Sequence, residues 1–163
     1  MIRNALPLIN MQIMKTMEPR WATVVPELLV TNLSQSLRFW VGLCGFSVAY
    51  SRLDEGFTYL DRAGAQVMLE EQGIIRNWVT GPMERPFGRG VNLQITVSDI
   101  DPIVDDLRRA DWALFLEPEV KWYRADSTEL GVRQFIVQDP DGYLLRFSSR
   151  HGERPAKHIP AHP

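Results

Sequence analysis

The sequence predicts an α+β fold of two βαβββ modules, whose half-barrel sheets surround a shared cavity. Strand and helix patterns occur twice in the same order along the 163 residues. Residues 30–33, VTNL, match residues 97–100, VSDI, and Gly64 before AQVMLE matches Gly142 before YLLRF. Each module supplies four strands and one amphipathic helix, so each sheet can bury one face under its helix and curve the other face round a cavity.

Module one is predicted over about residues 22–72. Residues 24–30, VVPELLV, form a short apolar strand. Asn32 or Ser34 caps a helix with apolar residues at helical spacing, and Gly45 ends it. The alternating segments FSVAYSRL, GFTYLDRAG and AQVMLEEQ then predict three strands.

Module two is predicted over about residues 91–149, after a connector over residues 73–90 that is rich in glycine and proline. VNLQITV is its first strand, and Asp99 caps a helix with Pro102 in its first turn. WALFLEPEVKWYR and ELGVRQFIVQ form a long hairpin, with a possible break at Pro118 in the first strand. The DPDG turn then leads into the last strand, YLLRFSS.

Residues 21–150 are thus expected to form one domain. Residues 1–20 are predicted to be an N-terminal extension, and residues 151–163 a flexible tail rich in proline, histidine and charge. All three histidines lie in that tail. The folded part therefore lacks an imidazole that could act as a base at neutral pH or ligate a metal.

Composition narrows the function classes. The chain is 45% hydrophobic and 23% charged, with a net charge of −2 and no basic stripe, which argues against a nucleic-acid partner. No apolar run approaches the roughly 20 residues that span a membrane. The single cysteine, Cys44, cannot form an internal disulfide, which suits a cytoplasmic location.

Three segments carry a family resemblance: VTNLSQSLRFW with its following GF, VSDID, and QDPDGYLLRF. Together with the repeat they resemble the vicinal oxygen chelate superfamily, which includes glyoxalase I, extradiol dioxygenases and bleomycin-resistance proteins. The resemblance covers about residues 24–149, and PFGRGVNLQITV and KWYR look most like the bleomycin-resistance branch. It implies the glyoxalase/bleomycin resistance fold and a homodimer.

The resemblance also implies where a metal site would lie. Enzymes of the superfamily take His or Glu ligands from the first and last strand of each module. These positions fall on Val25, near Met68, on Asn92 and on Arg146. Glu70 lies two residues after Met68, on the same strand face. Because valine cannot ligate, asparagine is a weak ligand and arginine is a cation, we expect a cavity without metal or cofactor.

The function that the resemblance implies is sequestration of a glycopeptide-like antibiotic in a groove at the dimer interface, which would confer antibiotic resistance. Bleomycin-type drugs offer a flat bithiazole and a cationic tail, which favour aromatic faces and acidic groups. No catalytic residue is assigned. The expected ligand-binding residues are Glu27, Glu70, Trp78, Phe87, Asn92, Trp122, Tyr123, Arg133, Phe135 and Arg146.

Alternatives stay open at this point. Glu70 and Arg146 can form an internal ion pair, or Arg146 can meet an anionic group of a ligand. The aromatic residues can instead plug the barrel ends or the dimer interface. The alternative function is a glyoxalase-like or dioxygenase-like lyase or isomerase that acts on a small metabolite and uses Glu70 as its base. The lost ligand positions and the lack of folded histidine favour a binding protein over an enzyme.

Overall fold

The computed structural model describes residues 21–156 as two four-stranded mixed sheets, each with one α-helix, in the predicted βαβββ order. The predicted fold class is therefore confirmed. The predicted N-terminal extension, residues 1–20, lies outside the described residues, as do residues 157–163 of the predicted tail.

Module one forms the first sheet, in the strand order β1-β4-β3-β2. β1 runs parallel to β4, and the other neighbours are antiparallel. A 3-10 turn at Leu53–Glu55 joins β2 to β3. The elements are β1 Glu27–Val30, α1 Leu33–Trp40, β2 Ser47–Arg52, β3 Phe57–Arg62 and β4 Ala65–Glu71.

Module two forms the second sheet, in the strand order β5-β8-β7-β6, again with one parallel pair, β5 and β8. Its last three strands are much longer than those of module one. The elements are β5 Asn92–Thr96, α2 Asp101–Arg109, β6 Leu114–Ala125, β7 Thr128–Gln138 and β8 Leu144–Pro155.

The strand register repeats between the modules. In module one, the parallel pair places Glu27 beside Met68. In module two, the equivalent pair places Gln94 beside Arg146. The two sheets are therefore built on the same plan, with equivalent residues side by side in their parallel strand pairs.

One apolar core runs through both modules. α1 contributes Phe39 and Trp40, and sheet two contributes Phe135 and Phe147, all of which are almost fully buried. Burying large side chains of this kind contributes about 1.5–3 kcal/mol each. Cys44 belongs to the same core, and burial raises the pKa of its thiol well above the ordinary value.

The DPDG turn between β7 and β8 joins the modules through hydrogen bonds. Asp139 accepts the backbone N–H groups of Asp141 and Tyr143 at 3.0 and 2.9 Å, which fixes the turn. Its carboxylate also accepts the indole N–H of Trp40 at 3.3 Å. The turn of module two is thereby held against the helix of module one.

Asp141 makes a second set of bonds across the same boundary. It accepts the backbone N–H of Thr31 at 3.0 Å and the Thr31 hydroxyl at 2.7 Å. The Arg85 guanidinium from the connector lies 2.6 Å from Oδ1 of this buried carboxylate, the oxygen that also accepts the Thr31 hydroxyl. A buried charge needs such partners, because desolvating an unpaired carboxylate is costly.

Three sequence-based boundaries need correction. β8 continues to Pro155, so residues 151–155 belong to a strand and not to a tail, because β7 pairs with β8 as far as Thr128 opposite Pro155. α2 begins after Ile100, whose C=O accepts the first helical hydrogen bond, from Val104. Asp99 therefore lies one residue before the N-cap, and its side chain accepts the N–H of Asp101. β6 passes through Pro118 with a shift in register instead of a break.

None of the helices formed by residues 21–156 is both long and apolar enough to cross a membrane.

Candidate functional site

Each sheet has one face packed under its helix and a second, helix-free face. In β4, Val67 and Leu69 join the core beneath α1, so Met68 and Glu70 point to the opposite side. In β8, Leu145 and Phe147 join the core, which places Arg146 on the helix-free face. These two faces are the sheet surfaces that neither helix covers.

Four aromatic rings, which we call the aromatic surface, cover much of the helix-free face of module one: Trp21, Tyr50, Phe57 and Tyr59. Tyr50 stacks on Tyr59, with ring centroids 5.2 Å apart and an interplanar angle of 20°. Trp21 meets Tyr59 edge-on at 5.1 Å, and Phe57 lies 5.8 Å from Tyr50. Phe57 and Tyr59 are buried, yet neither belongs to the central core.

Local sequence explains this arrangement. Phe57 and Tyr59 are two residues apart in β3, so they share a face. The register of β2 and β3 places Tyr50 beside Tyr59 and Arg52 beside Phe57. The Arg52 guanidinium lies 3.9 Å from the Phe57 ring centroid, within the range of a cation–π contact.

Two carboxyl groups lie on the same face as the aromatic surface. Glu70 in β4 is 4% exposed and accepts a hydrogen bond from the Asn77 side-chain amide. The pKa of Glu27 is raised mainly by a hydrogen bond with Glu70 and secondly by burial, while the charge of Arg52 acts in the opposite direction. Glu27 therefore retains its proton to a higher pH than an isolated glutamate would, chiefly because of this hydrogen bond.

The helix-free face of module two is polar. Arg146 donates through Nη2 to Oε1 of Gln94. Gln134 donates to Glu119 at 2.8 Å, and its Nε2 lies 3.0 Å from the Tyr123 hydroxyl. The internal ion pair suggested for Glu70 and Arg146 is not formed.

Three of the predicted ligand-binding residues lie away from the helix-free faces. Phe135 is fully buried in the core, and Phe87 is 5% exposed and packs against Tyr143. Arg133 points to the helix side, where it lies 2.6 Å from Asp101 at the start of α2. The sequence-based placement of these three residues in the cavity is wrong, and for Arg133 and Phe135 the error is one strand position, which exchanges the faces.

The remaining predicted aromatic residues are scattered. Trp78 on the connector is 75% exposed, with the Arg76 guanidinium 4.5 Å from its ring. Trp122 and Tyr123 are neighbours in β6 and so point to opposite sides. The Arg154 guanidinium lies over Trp122, 4.0 Å from the centroid of the indole ring. The structure does not bring these rings into one groove.

A cleft of about 290 Å³ lies at the boundary between the modules. Trp40 and Phe46 form part of its apolar wall. The polar part of its lining includes Gln66, Asn92 and Gln94. Gln66 accepts a hydrogen bond from Tyr59 of the aromatic surface at 2.7 Å, and Gln94 accepts one from Arg146 on the other module. The cleft therefore adjoins both helix-free faces.

The donor set for a metal is poor. Within residues 21–156, no group of three His, Cys, Asp or Glu side chains is close enough together to hold a metal ion. The residues at the positions where the superfamily's enzymes place ligands, Val25, Met68, Asn92 and Arg146, supply one amide oxygen, one thioether and one cation. These residues do not fit a divalent ion.

The fold and its two helix-free faces define a class: two-module α+β proteins with a ligand-sized cleft at the module boundary. Solved structures share this fold. TioX from Micromonospora sp. ML1 superposes with a TM-score of 0.61 at 20% identity, covering 80% of this chain and 100% of that chain. A glyoxalase/bleomycin resistance protein/dioxygenase from Alicyclobacillus acidocaldarius superposes with a TM-score of 0.52 at 18% identity, covering 80% and 93%.

Sequence similarity identifies the family. A glyoxalase/bleomycin resistance protein/dioxygenase superfamily member from Vibrio splendidus 12B01 is 40% identical over 78% of this chain and 97% of that chain. Its TM-score is 0.36, so the shared sequence and not the superposition carries this comparison. No protein-family model and no curated protein matches the chain. The chain belongs to the glyoxalase/bleomycin resistance/dioxygenase superfamily, and the bleomycin-resistance branch stays a prediction.

Proposed function

We propose that this protein is a metal-free binding protein that sequesters a flat, positively charged small molecule, of which bleomycin-type antibiotics are the named case. The observation that carries the proposal is the aromatic surface of module one. Trp21 and Tyr50 are 51% and 40% exposed, and they lie outside the central core. Exposed rings that neighbour one another on a sheet face are typical of a binding surface.

The chemistry of the neighbouring groups supports a cationic ligand. Glu27 and Glu70 lie on the same face of the sheet as the rings, and Glu27 is solvent-exposed. A ligand can stack its flat part on Tyr50 and Trp21 while its cationic part approaches the carboxyl pair. A cation at this position also relieves the repulsion between the two carboxylates.

The absence of good ligands at the superfamily's metal positions supports binding without chelation. Arg146 places a permanent positive charge where a divalent ion would need a carboxylate. Sequestration requires only that the ligand be held, so it needs no base and no metal. We also propose that the chain acts as a homodimer, in which a second copy helps to enclose the ligand.

A titration of chelator-treated protein with bleomycin, followed by tryptophan fluorescence and by heat, tests the proposal. We expect saturable binding that the chelator does not affect. Tyr50→Ser should weaken binding by about tenfold, because a lost aromatic contact costs up to about 1.5 kcal/mol. Phe115→Ser is the matched control, since Phe115 is a 61% exposed aromatic residue on β6 of the other module.

Two results would contradict the proposal. The first is binding that Tyr50→Ser leaves unchanged, because the ligand would then lie elsewhere. The second is a lack of binding together with a stoichiometric divalent metal in untreated protein, which would favour the enzyme alternative with Glu70 as its base.

A further inference from the structure

Arg146 occupies an unusual position at the centre of the second sheet. It lies half-buried in β8, on the helix-free face, between β5 and β7. Within residues 21–156, no carboxylate lies within 4.0 Å of its guanidinium, although Arg85, Arg133 and Arg154 each form an ion pair. Its Nε atom is buried and has no hydrogen-bond partner in the described part of the chain.

The geometry of the guanidinium indicates which chemical group the unpaired Nε–H donor would bind. The Nε–H and one Nη2–H lie on the same edge of the planar group and point in parallel, which matches the two oxygens of a carboxylate. Gln94 presents a single amide oxygen to the guanidinium, and it accepts from Nη2 only. The second donor, Nε–H, is therefore left without the acceptor that a buried polar group requires.

The surroundings favour an organic acid. In the strand register, Arg146 stands between Gln94 on β5 and Ile136 on β7. Leu144 and Ser148 lie two residues before and after it, on the same face. Ile136 and Leu144 provide apolar contact for a carbon skeleton, which a free inorganic anion would not use.

A ligand can approach the Arg146 guanidinium from the side of Gln94. Gln94 is exposed on β5, the edge strand of its sheet, and it lines the cleft at the module boundary. Rotation of this side chain away from Arg146 opens the paired donors without moving the backbone. The exchange gives up the bond from Arg146 to Gln94 and the 3.4 Å bond from Gln94 Nε2 to Ser148. It gains two parallel bonds between oppositely charged groups, which are stronger.

We infer that Arg146 binds the carboxylate group of a small organic acid, and that Gln94 is the side chain that this carboxylate displaces. The site lies on module two and does not depend on the aromatic surface of module one. It extends the proposed function, because it gives the protein a recognition site for a negative group as well.

The test follows the Arg146 Nε–H resonance in ¹H–¹⁵N spectra during titration with sodium benzoate, with sodium chloride at equal ionic strength as the reference. The resonance is assigned by its loss in Arg146→Lys. We expect a saturable shift with benzoate and none with chloride. Arg150→Lys is the matched control, because Arg150 is an exposed arginine on the same strand and should leave the response intact.

Gln94→Glu provides the sharper variant. A glutamate at this position offers Arg146 two oxygens from within the chain, so it should occupy both donors. We expect benzoate binding to weaken by at least about tenfold while the melting temperature rises, a combination that simple unfolding cannot produce. Arg146→Lys keeps the charge but loses the paired donors, and it should weaken benzoate binding by about tenfold as measured by heat.

The inference is overturned if benzoate produces no saturable shift, or if Gln94→Glu binds benzoate as well as the wild type does. An equal response to inorganic phosphate would overturn the assignment to organic acids. Because this test uses benzoate and an arginine resonance, its failure is distinct from a failure of bleomycin to bind the aromatic surface.

Discussion

Asp139 illustrates how position sets the charge of a single residue in this protein. It is 4% exposed, and burial raises its pKa to about 6, although the N–H groups of Tyr143, Trp40 and Asp141 act in the opposite direction. Desolvation therefore outweighs three donated hydrogen bonds. The carboxyl group that holds the DPDG turn is thus most easily accommodated when it is neutral.

A pH dependence of stability follows. Because the folded pKa lies above the unfolded value of about 3.9, the contribution of Asp139 is complete below about pH 4 and is lost as the pH rises through about 6. The loss amounts to about 3 kcal/mol. Urea unfolding measures the unfolding free energies of the wild type and of Asp139→Asn at each pH. We expect the wild-type value minus the variant value to decrease by up to this amount between pH 4 and pH 7. A difference that is constant with pH would contradict this.

The candidate site was only partly predictable from individual residues. Glu27 and Glu70 were placed on the correct face by strand alternation. Phe135 was placed on the wrong face, because alternation defines two faces and does not say which one the helix covers. Phe57 and Tyr59 are missing from the predicted site, although their alternation in one strand is a usable signal.

At the scale of elements, the two β-turns before the last strands make a natural pair. Gly64 and Gly142 occupy equivalent positions, with φ angles of 93° and 98°. A Cβ atom on Gly64 would meet nothing within 4 Å. A Cβ atom on Gly142 would lie 2.4 Å from Cβ of Pro86 and 2.7 Å from its Cα, so this turn is pressed against the connector.

Alanine substitutions at these two glycines distinguish the cost of backbone strain from the cost of a steric clash. Gly64→Ala should lower the unfolding free energy by about 1–2 kcal/mol, which is the cost of a left-handed conformation for a residue with a Cβ. Gly142→Ala should cost clearly more, because the connector must also move. Urea unfolding of both variants measures the difference, and equal losses would show that the contact with Pro86 is unimportant.

Element order was predictable, and element ends were not. Alternating and helical spacings gave every strand and both helices in sequence. The end of β8 was missed because residues 151–155 are polar and resemble a tail. Their strand structure comes from pairing with β7, whose own length depends on the hairpin with β6. Local periodicity does not show which distant segment a strand pairs with, or how far that pairing extends.

At the scale of the whole molecule, the sequence left open whether the modules pair within one chain. The structure joins them within the chain through Thr31 and Asp141, and through Trp40 and Asp139. These contacts link residues about a hundred positions apart. They depend on the exact approach of one module to the other, which no repeat pattern encodes.

The proposed homodimer is tested at this scale. β2 and β6 are sheet edges, and Val48 and Tyr50 on β2 are exposed, which leaves apolar surface and unpaired backbone groups at a sheet border. We expect light scattering after gel filtration to give twice the mass of one chain. A monomer at micromolar concentration would contradict the dimer, while bleomycin binding by that monomer would leave sequestration intact.

The buried thiol has a practical consequence. Cys44 is the only cysteine in the sequence, it is fully buried, and burial raises the pKa of its thiol. Maleimide dyes react with accessible thiolates, so the native chain should stay unlabelled when folded. A cysteine introduced at the exposed Ser34 would then carry the sole fluorophore, without any need to alter the core. Ligand uptake can thus be followed with a single dye in an otherwise native protein.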